Sequence, residues 1–169
     1  MANPATTGRG LAVAVALALA IALSACARGP DGEPGGLGIG VGFGATAAGT
    51  IEEFVASIGD RVFFDTDSAE LSAQARQTLD SQARWLNEYS RFRIVIEGHA
   101  DERGTREYNI ALGARRATAV RDYLVALGVG ANRIRTISYG KERPVALCND
   151  ISCWLQNRRA VTVIENAGA

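Results

Sequence analysis

Residues 91–97, Arg-Phe-Arg-Ile-Val-Ile-Glu, set Phe92, Ile94 and Ile96 on one side of an extended chain. A polar loop follows from Gly98 to Gly104, and a helical pattern then runs from about Thr105 to Leu127, where Gly128 stops it. A strand tied to a long helix by a short loop must lay that helix on a sheet, because neither element buries its apolar side alone. At about 100° per residue, Ile110, Gly113, Ala117, Val120, Leu124 and Leu127 form the stripe expected to face the sheet. Asn109 and Arg116 run along one edge of that stripe beside Leu112, whereas Arg115 points to solvent. Arg116 is thus the arginine expected to line a cleft at the end of the sheet, and Asp101 in the loop can reach the same place.

The remaining pattern completes a small domain over residues 50–169. Thr50-Ile-Glu-Glu53 has the form of a capping box opening a short helix, closed by Gly59-Asp60 before a strand over 61–64. Ser72 can cap a helix carrying Ala75, Leu79, Ala83 and Leu86 that ends near Tyr89. Residues 134–139 and 160–164 read as two more strands with a hairpin-like connection, and a short helix is expected around 152–156. The fold class expected is α+β, with helices packed on one face of a small four-stranded mixed sheet.

Residues 1–25 carry one charged side chain, Arg9, followed by a 13-residue apolar run from Leu11 to Leu23 and then small residues, the order of an export signal. As a helix that run spans about 20 Å, short of the roughly 20 residues a bilayer requires. Leu23-Ser24-Ala25-Cys26 resembles the lipobox of bacterial lipoproteins, which implies cleavage before Cys26, a diacylglyceryl group on its thiol and acylation of the new amine. Each buried methylene contributes about 0.8 kcal/mol, so three acyl chains make a lasting anchor. Ala27 in place of an aspartate favours the outer membrane. The mature chain of 144 residues loses only Arg9 and keeps 17 basic against 18 acidic residues, so it has no electrostatic case for nucleic acid. Residues 27–49 hold nine glycines and two prolines with no period to bury a face, which reads as a flexible tether of lipidated N-terminus to domain. Cys148 and Cys153 suit a short disulfide in an exported chain, of about 2 kcal/mol at most. Without a nearby histidine the pair lacks the four ligands of a structural zinc, and no metal is expected.

The run Glu97-Gly-His-Ala-Asp-Glu-Arg-Gly-Thr-Arg-Glu-Tyr-Asn-Ile-Ala-Leu-Gly-Ala-Arg-Arg-Ala117, with Ser138-Tyr-Gly-Lys-Glu-Arg-Pro144 and Asn157-Arg-Arg-Ala160, resembles the peptidoglycan-binding domain of OmpA-like proteins over roughly 62–164. It is most similar to the lipoprotein members of that family that serve the Tol-Pal system. The resemblance implies a non-enzymatic protein without cofactors that links outer membrane to wall and supports membrane invagination at division. Positions matching Asp101 and Arg116 would bind the free α-amino-acid end of meso-diaminopimelate, with Asn109 adding hydrogen bonds. Asp65 and Thr66 would form a further wall, and one arginine of Arg158 and Arg159, with Arg159 favoured, would enter the cleft. TolB is implied as a partner that competes with peptidoglycan around the Asp101 loop.

Chemistry gives the same pair a meaning of its own, since a carboxylate and a guanidinium a few ångströms apart match an ammonium and a carboxylate on one amino-acid head. The plainer alternative is an Asp101–Arg116 salt bridge tying loop to helix, and for Asp65-Thr66 a polar turn. His99, the single histidine, has no nucleophile grouped with it and is read as a loop-shaping residue hydrogen-bonded to backbone. Asp101 and Glu102 are adjacent in a loop and should diverge, whereas glycan hydrolysis needs two carboxylates about 5 to 9.5 Å apart across a groove. A generic wall anchor outside the Tol-Pal system keeps the same fold and site.

Overall fold

The computed structural model describes residues 47–165, so the export signal, Cys26 and most of the tether lie outside the described residues. Helix α1 (Ile51–Glu53) widens into a further turn over Phe54–Gly59. Its capping box is closed one residue early: Thr50 Oγ1 accepts from Glu53 N, and the Glu53 carboxylate accepts from Gly49 N at 2.7 Å and Trp85 Nε1 at 2.8 Å. Strand β1 is Arg61–Phe63, and Ser72 caps α2 (Ala73–Glu88) by accepting from Ala75 N, as its spacing predicts. Strand β2 (Arg93–His99) leads to α3 (Arg106–Ala126), capped by Thr105. Strand β3 (Ile134–Gly140), α4 (Ile151–Asn157) and β4 (Arg159–Glu165) complete the chain.

The four strands form one mixed sheet in the order β1-β4-β2-β3, with β4 antiparallel to both neighbours and β2 parallel to β3. This corrects the expected hairpin-like connection, because β4 does not pair with β3 but inserts between β1 and β2. The more apolar run Ala-Val-Thr-Val-Ile suits a central place, whereas β3, with Arg135 and Thr136 exposed, suits an edge.

Val62, Ile94, Ile96 and Ala160 from the sheet meet Leu79, Ala83 and Leu86 of α2 and Ala117, Val120 and Leu124 of α3 in one core. Each large aliphatic side chain buried there contributes about 1.5–3 kcal/mol. Trp85 closes one end, its ring 5.0 Å from Phe54 and 5.2 Å from Phe92. Leu127, expected on the buried stripe, is exposed. Gly128 turns the chain at φ 94°, and Val129 takes the buried place, its N–H donating to Leu124 O at 3.1 Å.

Helix and sheet meet most closely where no side chain intervenes. A Cβ on Gly98 would overlap the Gly113 carbonyl, and one on Gly113 would overlap Ser138 Oγ. Ser138 Oγ also donates to Ile110 O at 2.7 Å, which pins the first half of α3 over the ends of β2 and β3. Asn109 and Arg116, on either side of Gly113, are thereby held at the loop that leaves β2. Gly113→Ala is expected to lower unfolding free energy by about 2 kcal/mol or more in urea titrations through overpacking, against about 1 kcal/mol for exposed Ala111→Gly.

Candidate functional site

The loops after β1 and β2 and the first turns of α3 enclose a cleft of about 250 Å³. It is lined by Thr66, Asp101, Asn109 and Leu112, four of the residues singled out in the sequence, together with Asp67, Arg103, Gly104 and Tyr108. Asp65 is exposed beside it and contributes its backbone carbonyl to the wall behind.

Asp101 is the ionised centre of this cleft. Its Oδ1 accepts from Arg103 N at 3.2 Å and Nε at 3.1 Å, and its Oδ2 from Arg103 Nη2 at 2.8 Å and Arg158 Nη1 at 3.4 Å. Burial pulls this carboxyl upward, but the hydrogen bonds and charge of Arg103, with help from Arg158, hold it below the usual range. Glu102 turns away and accepts from Trp154 Nε1, so the two adjacent carboxylates diverge as their sequence position implies.

Arg116 stands behind the wall rather than across from Asp101. It is wholly enclosed, and Nε, Nη1 and Nη2 donate to the carbonyls of Ser68 at 2.8 Å, His99 at 2.8 Å and Asp65 at 3.0 Å. Its guanidinium lies 5.2 Å over the Phe64 ring. Neither the open Asp101–Arg116 pair nor the plain salt bridge between them is formed, because each of the three guanidinium nitrogens is turned toward a main-chain carbonyl. Burial pushes the Arg116 pKa down to about 10, with Asp101 pulling the other way, so it stays charged at neutral pH.

Of the two successive arginines, Arg158 meets the cleft side: its Nε donates to Phe64 O at 3.1 Å and its Nη1 to Asp101. Arg159 instead donates to Asn157 O and Arg143 O. Arg158 closes α4 and turns its side chain toward Phe64 and Asp101, whereas Arg159 opens β4 and turns toward Arg143.

Asn109 is buried and its amide donates to Arg103 O at 2.7 Å and Thr105 O at 3.1 Å, holding the loop onto α3. Tyr108 closes the rim by donating to the Asp67 carboxylate, in a turn where Asp67 sits at φ 56°. On the other rim the Arg103 guanidinium lies 4.1 Å over the Trp154 ring. Trp154 belongs to α4, capped by Asp150 and tied to the chain before it by the Cys148–Cys153 disulfide, whose Cα atoms are 5.6 Å apart. With both sulfurs bonded, the grouping of Cys148, Asp150 and Cys153 keeps only one carboxylate for a metal. Arg103, in the loop, and Tyr108, in the first turn of α3, sit inside the run that carries the resemblance, and that run is the sequence signal for both. Trp154, about fifty residues away, carried none.

His99 differs from its expected role. Its side chain is 2% exposed, and neither ring nitrogen has a hydrogen-bond partner among the described residues. The nearest carboxylate oxygen, on Glu97, is 3.6 Å from Nε2. The backbone of His99, not its ring, shapes the loop by accepting from Arg116. Burial, reinforced by the charges of Arg159 and Arg143, lowers its pKa to about 4.

The OmpA family profile matches residues 63–158. The peptidoglycan-associated lipoprotein of Mesorhizobium japonicum is 64% identical over 126 residues, covering 75% of each chain. That of Rhizobium meliloti is 65% identical over 126 residues, covering 75% of this chain and 72% of the relative. Among solved structures, the peptidoglycan-associated lipoprotein from Burkholderia pseudomallei superposes with a TM-score of 0.64 at 43% identity, over 68% of this chain and 98% of that one. The C-terminal domain of Helicobacter pylori MotB shares the fold, with a TM-score of 0.59 at 22% identity over 63% and 84% of the two chains.

His99 makes the pH dependence of folding testable. An unfolded imidazole titrates near 6.5 and the folded one near 4, so its stabilising effect is complete above pH 6.5 and lost as pH falls toward 4. The unfolding free energy of the chain should drop by about 3 kcal/mol across that window, and His99→Asn should flatten the profile there. Equal slopes for both chains between pH 6.5 and 4 would contradict the assignment.

Proposed function

This chain belongs to the OmpA family, and from that premise we propose that it is a peptidoglycan-binding lipoprotein that reads the diaminopimelate head of a wall peptide. The observation that carries the reading is Asp101, an ionised carboxylate on the wall of a cleft lined also by Arg103, Asn109, Thr66 and Leu112, where the second carboxylate, Asp67, is engaged by Tyr108. An amino-acid head brings both signs of charge, so its ammonium goes to Asp101 and its carboxylate to the positive side. Arg116 supplies part of that positive field from behind the wall and holds the carbonyls that give the cleft its shape. Asn109 offers Oδ1 while its amide nitrogen holds the loop, Thr66 offers a hydroxyl, and Leu112 gives the methylene chain an apolar wall.

The names of the relatives support association with peptidoglycan and a lipoprotein's membrane anchor. We place the lipid on Cys26 and the anchor in the outer membrane, with the domain facing the periplasm. Non-covalent grip at one end and lipid at the other would draw the outer membrane inward with the constricting wall. Resemblance to the Tol-Pal lipoproteins supports TolB as the partner that shares the Asp101 loop.

Asp101→Asn should weaken binding to a diaminopimelate-containing stem peptide by about 30-fold or more, because it removes one partner of a desolvated charge pair. Its melting temperature should stay close to that of the wild type, and wild-type affinity in calorimetry would overturn the assignment. Arg116→Ala is a poorer probe of binding, since it strands the buried carbonyl of His99, releases those of Ser68 and Asp65 and leaves a cavity in the core, and is expected to destabilise the domain by about 3 kcal/mol or more. Cys26→Ser should move the chain from the membrane fraction to the soluble fraction; retention with the membrane would contradict the anchor.

A further inference from the structure

Three arginines surround Asp101, and they differ in what binding would ask of them. Arg116 is wholly enclosed with its donors on three carbonyls, and Arg158 is 3% exposed with one donor on Phe64 O. Moving either breaks buried hydrogen bonds to the main chain. Arg103 lines the cleft, its side chain is 41% exposed, and among the described residues its guanidinium bonds only to the Asp101 carboxylate. It therefore occupies the place on Asp101 that a ligand's ammonium would take.

The seat of that guanidinium is built from a distant part of the chain. Its Cζ lies 4.1 Å over the Trp154 ring, where the negative face of the indole attracts a cation. The indole is oriented by its own hydrogen bond to Glu102, beside Asp101 in the loop. It rides on α4, whose first turn is fixed by Asp150 accepting from Ser152 N at 2.8 Å and by the Cys148–Cys153 bond. Cys148 N donates to Cys153 Sγ, so the clip orders the main chain that enters the helix.

We infer that Trp154 is a positioning residue for the cleft: it keeps the Arg103 guanidinium at the rim when a ligand's ammonium displaces it from Asp101, so that Arg103 meets the ligand's carboxylate. The exchange replaces one ion pair by two and leaves no cation or carboxylate unmatched, and the planar fork of arginine suits a carboxylate as well as it suits Asp101. The disulfide-clipped helix thereby sets the preference of the site for a free carboxylate on the head. This rests on the amino-acid-head reading above and adds to it a residue outside the cleft.

The test compares two stem peptides, one with the diaminopimelate head as the free acid and one with that head's carboxylate amidated, titrated into the full mature chain made soluble by Cys26→Ser. Wild type should prefer the acid by about tenfold or more. Trp154→Leu should lose about tenfold on the acid and stay within about twofold on the amide, while Trp154→Phe, which keeps an aromatic face, should recover most of the loss. Replacing Cys148 and Cys153 together by serine should give a smaller loss, again confined to the acid, and so lower the acid preference. Equal losses on both peptides, or none, for Trp154→Leu would overturn the inference while leaving the binding site in place. An unchanged acid preference in the double serine variant would overturn the role of the clip. A wild-type chain that binds neither peptide removes the amino-acid-head reading and this inference with it.

Discussion

One buried guanidinium organises the functional end of this domain. Arg116 gathers the carbonyls of Asp65, Ser68 and His99, which belong to the loop after β1 and the end of β2, onto a single side chain of α3. Loops that would otherwise carry unpaired main-chain acceptors into a desolvated corner are satisfied by one charged fork. The arrangement works only because α3 lies tight against the sheet at Gly98 and Gly113, which brings Arg116 within hydrogen-bond distance of both loops. Close packing and the cleft's shape are thus one constraint seen from two sides.

The cleft formed on this support is charged in advance. Asp101 is kept ionised by Arg103 and Arg158, so binding an ammonium requires no proton transfer, only the exchange of one cation for another. The outer of those arginines is exposed and seated on an aromatic ring, and the inner is tied to the main chain. On the carboxylate side the cost of desolvation is largely met beforehand, since Asp101 is already buried and paired, whereas Arg103 still reaches solvent.

Much of this was legible in the residues, and the failures have physical causes. Helix caps at Thr50 and Ser72 depend on hydrogen bonds to an N–H three residues on, which is why local spacing locates them; for α3 the helical pattern gives only an approximate start at Thr105, which proves to be its cap. Helical periodicity placed Asn109, Leu112 and Arg116 correctly on α3. It was silent on what Arg116 would bind, because several carbonyls and one carboxylate compete for it and only the packed loops decide among them. Arg158 and Arg159 were ambiguous since they straddle the junction of α4 and β4, where the period changes from 3.6 to 2. The central place of β4 and the contact of Trp154 with Arg103 join segments far apart in the chain. His99 was assigned a hydrogen bond that the packed structure gives to its backbone instead.

The central claim is that this cleft, and no other surface of the domain, receives the diaminopimelate head. A backbone amide chemical-shift map of the mature chain, titrated with a diaminopimelate stem peptide, tests it most directly. The account predicts saturable shifts centred on Thr66, Asp67, Asp101, Arg103, Asn109 and Leu112. Saturable shifts confined to the uncovered face of the sheet around Val95 and Ile137, or none with a binding-competent peptide, would contradict it.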